Sequence, residues 1–313
     1  VVIILLLLTI AQGTTIAGAN ASRWIQVPLV GVTFQTSTLA AVVLMTYVAR
    51  YLSTIEGRIV TFKETLLPLW VPVFLVLALI LPANFSTAAI IFAMVSLLVF
   101  IGGYPLKYLA IILGAGLLML SLFVVTAKAF PGVFPNRVDT WISRVESFAD
   151  KTDTEANYQI DQAKIAIASG GITGLGPGKS VQKNFLPQSS SDFIYAIIVE
   201  EFGIVGALGI MIVYLMLLFR LVIVAHKSSD MFSKLLVIGV GLPIVFQALI
   251  NMAVAVSLFP VTGQTLPLIS SGGSSIWMTC LALGMVLSVS AKRVIKKKDD
   301  DTENPLDILS QTL

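Results

Sequence analysis

The apolar residues of this chain gather in long, nearly unbroken runs, not in alternating or amphipathic patterns. Those runs approach the roughly 20 residues that carry a helix across about 30 Å of hydrocarbon. Seven are clear, at residues 34–52, 66–81, 85–102, 106–126, 203–223, 234–256 and 274–291. An eighth, residues 1–10, is too short to span and is expected to be the end of a longer helix, since a signal-peptide core would carry a basic flank before it. The pattern predicts an all-α polytopic membrane protein. Residues 127–202 form a connection far longer than the usual few residues. Within it Trp141, Phe148, Tyr158 and Phe185, with apolar spacing around Ile160, Ile165 and Ile167, predict short amphipathic helices on the membrane surface. The glycine-rich residues 169–180, SGGITGLGPGKS, predict a flexible turn. Residues 193–225 are too long for one span, so a break at Gly203 is expected, with a short helix over 192–202 before it.

Composition removes the soluble alternative. Of 313 residues 57% are hydrophobic and 12% charged, with mean hydropathy +0.93, whereas an average soluble domain carries about a quarter charged residues. Orientation follows from where Lys and Arg fall. Arg50, Arg58, Lys63, Lys107, Arg220, Lys227, Lys234, Lys292, Arg293, Lys296, Lys297 and Lys298, which are 12 of the 20 basic residues, lie on one side. That side is expected to be cytoplasmic, with residues 11–33, 127–202 and 257–273 outside. Residues 1–293 then make a single transmembrane domain and 294–313 a charged cytoplasmic tail. A net charge of +3 speaks to orientation and gives no reason to expect a nucleic-acid partner. The single Cys280 and single His226 exclude a disulfide framework, a multi-His metal site and a Ser-His-Asp triad within the chain. Acid–base chemistry is left to carboxylates.

Three carboxylates stand where the long connection meets the membrane. Asp192 follows Ser189, Ser190 and Ser191 and precedes the apolar run, a pattern that fits an N-cap, yet an acid at that depth is also a functional candidate. Glu200 and Glu201 lie about 12–13 Å further along a helix axis, beyond carboxylate pairing with Asp192, and are expected to partner basic residues. Lys164, Lys179 and Lys183 surround the glycine run, and backbone N–H groups beside an ammonium suit phosphate oxygens, although most such stretches are plain turns. Arg23 beside Trp24 fits an interfacial belt pair. Residues 259–275, FPVTGQTLPLISSGGSS, must be irregular backbone between two spans, which survives near lipid only where it lines a cavity or is buried in protein. This segment is expected to be one wall of a site. Asn251 before it is expected to bridge helices.

Taken together, residues 158–206 (YQIDQAKIAIASGGITGLGPGKSVQKNFLPQSSSDFIYAIIVEEFGIVG), residues 259–275, ASRWI at 21–25 and FQTSTLA at 34–40 resemble the SEDS family of FtsW and RodA proteins. GQTLPLIS looks more like the division branch than the elongation branch. The resemblance implies a fold of ten membrane helices, of which about eight are expected here, the first run corresponding to the family's third helix. It implies a peptidoglycan glycosyltransferase of the bacterial cytoplasmic membrane, with its site on the outer face. The growing glycan on an undecaprenyl-pyrophosphate carrier would be transferred to lipid II, beside a class B penicillin-binding protein transpeptidase and other division membrane proteins. Asp192 matches the family's essential acid and Lys164 its loop lysine. Lys164, Lys183 and Arg23, with Glu201, Ser270 and Gly272, would contact substrate, and a divalent cation such as Mg2+ is a candidate at the pyrophosphate. The chain departs from the family pattern at Gln188, Ser190 and Ser191, at Thr36 and Thr38, and at Asn84, where Asp is usual.

Two other classes compete with the enzyme. A lipid-carrier transporter or flippase would need polar or ionisable residues along a path through the midplane, whereas here the acids gather at one face. A scaffold that only recruits a transpeptidase would leave Asp192 as a cap. The orientation is directly testable: a reporter fused at Gly57 should report from the cytoplasm and one at Asp153 from outside, and finding both on one side would overturn the topology.

Overall fold

The computed structural model describes residues 1–12, 24–26, 33–129 and 155–302. Every predicted run forms a helix over most of its length. In chain order α1 is Val2–Gln12, α2 Thr36–Thr54, α3 Phe62–Ile80, α4 Phe85–Ile101, α5 Leu106–Ala129, α6 Glu155–Gly170, α7 Ile194–His226, α8 Met231–Ala255 and α9 Gly273–Thr302. Four of them, α3, α7, α8 and α9 as far as Lys292, are both long and apolar enough to cross a membrane. The chain is an integral membrane protein. α9 continues through the charged residues beyond Lys292 to Thr302, so the predicted tail begins as helix.

Sequence chemistry sets the helix boundaries. Asn84 caps α4, its Oδ1 accepting from the Thr87 N–H at 3.2 Å, so Asn does at this position what a capping Asp would do. Thr61 and Glu64 form a capping box at the start of α3. Pro68 cannot continue a regular helix, and α3 passes it through a single π-turn at Leu66–Trp70. Asp230 caps α8 through the Ser233 N–H at 2.9 Å; that bond holds its carboxyl below the usual carboxylate range, with burial opposing.

α8 is the hub. It packs against α2, α4, α7 and α9, and Leu235, Val237, Val245, Ala248 and Ala255 along it are fully buried. α5 leans on α4 and leaves Leu117, Leu118, Met119 and Leu122 exposed. One feature the hydropathy pattern missed is a short antiparallel ribbon, β1 (Trp24–Gln26) with β2 (Thr33–Gln35), pairing Ile25 with Phe34. It takes Phe34 and Gln35 out of the run expected to start α2. Three-residue strands fall below what periodicity can register.

The expected amphipathic helix of the long connection is α6. It buries Ile160, Ala163 and Ala166 against α7 and exposes Asp161, Lys164 and Ile165, a one-sided stripe at helical spacing. Trp141 and Phe148 lie outside the described residues.

The expected break in the 193–225 run is present. Gly203, at φ 65° and ψ −165°, interrupts α7. A Cβ there would stand 2.2 Å from the Ile172 carbonyl oxygen, in a backbone region that L side chains rarely adopt. Gly203→Ala should therefore destabilise by about 3 kcal/mol or more, while Gly209→Ala, whose Cβ meets open space, should be neutral or better. Thermal midpoints of the two purified variants in detergent check the contrast, and equal midpoints would contradict it.

Candidate active site

The site is built on the backbone groups that the break releases. In an unbroken helix the N–H groups of Ile204 and Val205 would pair with the carbonyls of Glu200 and Glu201. Here they donate to Gly171 O at 3.0 Å and Ile172 O at 3.3 Å, while the Glu200 and Glu201 carbonyls accept from Leu175 N and Gly176 N, both at 2.9 Å. The glycine-rich run is thus stitched to α7 on both sides of Gly203. This corrects the expectation of a flexible turn: the run is ordered by four backbone hydrogen bonds. Its glycines serve close approach, since a Cβ on Gly174 would meet the Glu201 carbonyl oxygen at 2.2 Å.

Glu200 also differs from expectation. It is 1% exposed, and its partners are not basic residues but one turn of the long connection. The Ser180 hydroxyl donates to Oε2, and the Val181 and Gln182 N–H groups donate to Oε1 at 3.1 and 3.3 Å. Half-buried Glu201 accepts from the Ser180 N–H at 3.4 Å. The turn presents Lys179 and Lys183 on its exposed side, with Lys183 Nζ donating to Gly178 O at 2.8 Å.

From that turn the chain reaches Asp192. Leu186 and Phe193 are buried anchors on either side of the exposed Gln188 and Ser190. Asp192 is half-buried. It does not cap α7: the N-cap position is Phe193, without a side-chain cap. Its backbone is held from two sides: the N–H donates to Gln188 O at 3.1 Å and the carbonyl accepts from Asn251 Nδ2 at 2.7 Å. The same amide donates to Gln264 O at 2.7 Å, so Asn251 joins α8 to two connecting segments, where a helix-to-helix bridge was expected.

The segment after α8 is a wall, as its composition requires. Ser270 is buried; its hydroxyl donates to Ser191 O at 2.6 Å and accepts from Leu266 N at 2.7 Å. Ser271 N donates to Ser190 O at 2.9 Å. Gln247 holds Thr265, Tyr214 holds the Pro267 carbonyl, and Gln264 reaches Thr87 at the start of α4. Gly272 accepts from Ile276 N as α9 begins.

Of the predicted site residues, the structure brings the candidate base Asp192 and the candidate substrate contacts Lys183, Glu201 and Ser270 into one hydrogen-bonded assembly at one end of the protein. Lys164 sits on the exposed face of α6, ion-paired with Asp161 at 3.5 Å, and Arg23 lies outside the described residues. Among the described residues no three His, Cys, Asp or Glu side chains group to hold a metal. A Mg2+ on substrate phosphates needs only one or two carboxylates, and the one on Glu200 is already taken by the turn.

The sequence matches the model of the cell cycle protein family of FtsW, RodA and SpoVE over residues 1–295. The chain belongs to this family. It is 34% identical over 276 residues to a Saccharophagus degradans protein named "Probable peptidoglycan glycosyltransferase FtsW", covering 87% of this chain and 68% of that one. A Nitrosococcus halophilus protein of the same name is 32% identical over 289 residues, 91% of this chain and 72% of the relative. Two solved structures share the fold of this family member. One is a chain of a peptidoglycan synthase complex described as coordinating polymerization and crosslinking, with TM-score 0.73, 29% identity, and 93% and 79% of the two chains covered. The other is the Thermus thermophilus rod shape determining protein RodA, with TM-score 0.63, 28% identity, and 93% and 76% covered.

The role of Asn251 in this family member yields a stability test. Asn251→Ala strips the Asp192 and Gln264 carbonyls of a buried donor, which should cost about 2–3 kcal/mol. Limited proteolysis of the folded variant should then cut at residues 186–192 and 259–270 faster than wild type. Unchanged cleavage at both segments would contradict the bridging role.

Proposed function

We propose that this family member is a peptidoglycan glycosyltransferase. It polymerises glycan strands from lipid II at the outer face of the bacterial cytoplasmic membrane, in cell division or cell-wall growth, alongside a class B penicillin-binding protein. The observation that carries the reading is the match to relatives named peptidoglycan glycosyltransferase FtsW along about nine-tenths of the chain. The arrangement around Asp192 gives that activity a chemical basis. The Asp192 backbone is held by hydrogen bonds from two sides, at its N–H and at its carbonyl.

In the reaction the acceptor sugar's 4-hydroxyl loses its proton to Asp192, and its oxygen bonds to the donor's anomeric carbon. The bond from that carbon to the phosphate oxygen breaks, and undecaprenyl pyrophosphate leaves with the bonding electrons. A positioned base lowers the first barrier, and fixed positive charge offsets what develops on the pyrophosphate. Lys164, with Lys183 or Arg23, supplies that charge. Both substrates are lipid-anchored, so a site at a membrane helix boundary meets them without extracting their tails.

Among the described residues Glu200 is the one buried acidic or basic side chain, and it lies at the Asp192 end. The described interior carries no charged pathway of the kind expected of a flippase, which supports chemistry at one face. The test is turnover of purified lipid II by full-length protein in detergent. Asp192→Asn should lower it by about a hundredfold or more, with the thermal midpoint barely moved because Asn keeps the size of Asp and much of its capacity to accept hydrogen bonds. Near-normal turnover by the Asn variant would sink the catalytic assignment.

A further inference from the structure

Glu200 has no part in the proposed chemistry, yet it is the only buried acidic or basic side chain among the described residues. Burying a carboxylate is costly unless its lone pairs are filled, and here the hydroxyl of Ser180 and the N–H groups of Val181 and Gln182 fill them. All three residues are consecutive. The carboxylate therefore fixes where a single turn sits relative to α7, in addition to the stitches already made by the glycine run upstream.

That turn leads to the reactive groups by a nearly continuous series of bonds. The Lys183 N–H donates to Ser180 Oγ at 3.1 Å, the same oxygen that donates to Glu200. The Ser189 hydroxyl donates to the Lys183 carbonyl at 3.1 Å. The adjoining residue, Gln188, accepts the Asp192 N–H on its carbonyl at 3.1 Å. One end of the series is rigid, because Glu200 stands three residues before the break at Gly203 and its own carbonyl holds Leu175.

We propose that Glu200 is a positioning residue of the transferase, which acts through Ser180 to set the Lys183 turn at a fixed offset from Asp192. The proposal rests on the glycosyltransferase reading above. Misplacing a charge by about 1 Å can cost on the order of a hundredfold in rate, so a pin on the lysine turn affects turnover without touching substrate. Glu200→Gln preserves the shape and one acceptor, but it turns an amide NH2 toward N–H donors and so loosens the turn.

The test uses full-length protein in nanodiscs, with Glu200→Gln, Lys183→Ala and the double variant compared by lipid II turnover, thermal midpoint and backbone hydrogen exchange. Exchange at residues 180–183 should accelerate in Glu200→Gln by about tenfold or more while α8 stays protected. Turnover per folded molecule should fall by about tenfold to a hundredfold. In the Lys183→Ala background the same change should cost little more, because its effect passes through that lysine. Unchanged exchange at 180–183 overturns the assignment, and so do losses that multiply in the double variant, which are the mark of a purely structural role. If Glu200→Gln fails to fold, Ser180→Ala breaks the same bond from the turn side and must show the same non-additivity. Wild-type protein without turnover would overturn the parent reading and with it any role in that reaction, whereas normal turnover with unchanged exchange would overturn the Glu200 assignment alone.

Discussion

A single glycine takes two N–H groups and two carbonyls out of the ladder of α7, and the residues around Asp192 are organised by how those four groups are paired again. In a membrane-spanning segment each unpaired backbone group costs several kcal/mol, so a break is tolerated only where other backbone is delivered to it. The run from Gly170 to Gly176 delivers it, accepting from Ile204 and Val205 and donating to Glu200 and Glu201. A side chain at Gly203 or Gly174 would push the two backbones apart. The long connection is thereby fastened to a membrane helix with a fixed register.

That register places the remaining groups of the site. The turn after the glycine run lands on Glu200, the chain returns through Leu186 and Phe193, and Asp192 arrives at the start of α7 with its carbonyl held from α8. The segment after α8 closes the same end through Ser270, Ser271 and Gln264. Groups far apart in sequence are therefore held by short hydrogen bonds on packed helices, the arrangement a site needs if its chemistry depends on position more than on unusual reactivity. The proposed transferase makes that demand: one carboxylate as base, a few cations at the leaving group, and two substrates that stay in the membrane.

Much of this was legible in the residues. Hydrophobic runs located the helices because hydrocarbon thickness imposes their length, and the excess length of residues 193–225 exposed the break at Gly203. The irregular composition of residues 259–275 announced a buried wall, since such backbone has few other places to be near lipid. The partners of polar groups were less legible. Glu200 beside Lys-bearing sequence suggested ion pairing, yet its donors are a serine hydroxyl and two backbone N–H groups, which no side-chain pattern advertises. SSSD before an apolar run has the composition of a cap, but Gln188 in a left-handed conformation, at φ 58°, sets the turn so that Phe193 becomes the N-cap residue. The glycines looked like freedom and are contacts. An acidic pair just before a helix-breaking glycine, with a glycine-rich stretch upstream, is the signal that could have pointed to the stitch.

In the proposed transferase, substrate pyrophosphate binds at the end of the protein where the glycine run, Lys183 and Asp192 are joined. A lipid II analogue carrying a photoreactive group beside its pyrophosphate, irradiated with full-length protein in nanodiscs and mapped by peptide mass spectrometry, tests it most directly. Adducts should concentrate in residues 178–192 and 264–272. Adducts distributed along the middle turns of α7 and α8, with few at the Asp192 end, would contradict the claim and favour passage of lipid through the protein over transfer at its face.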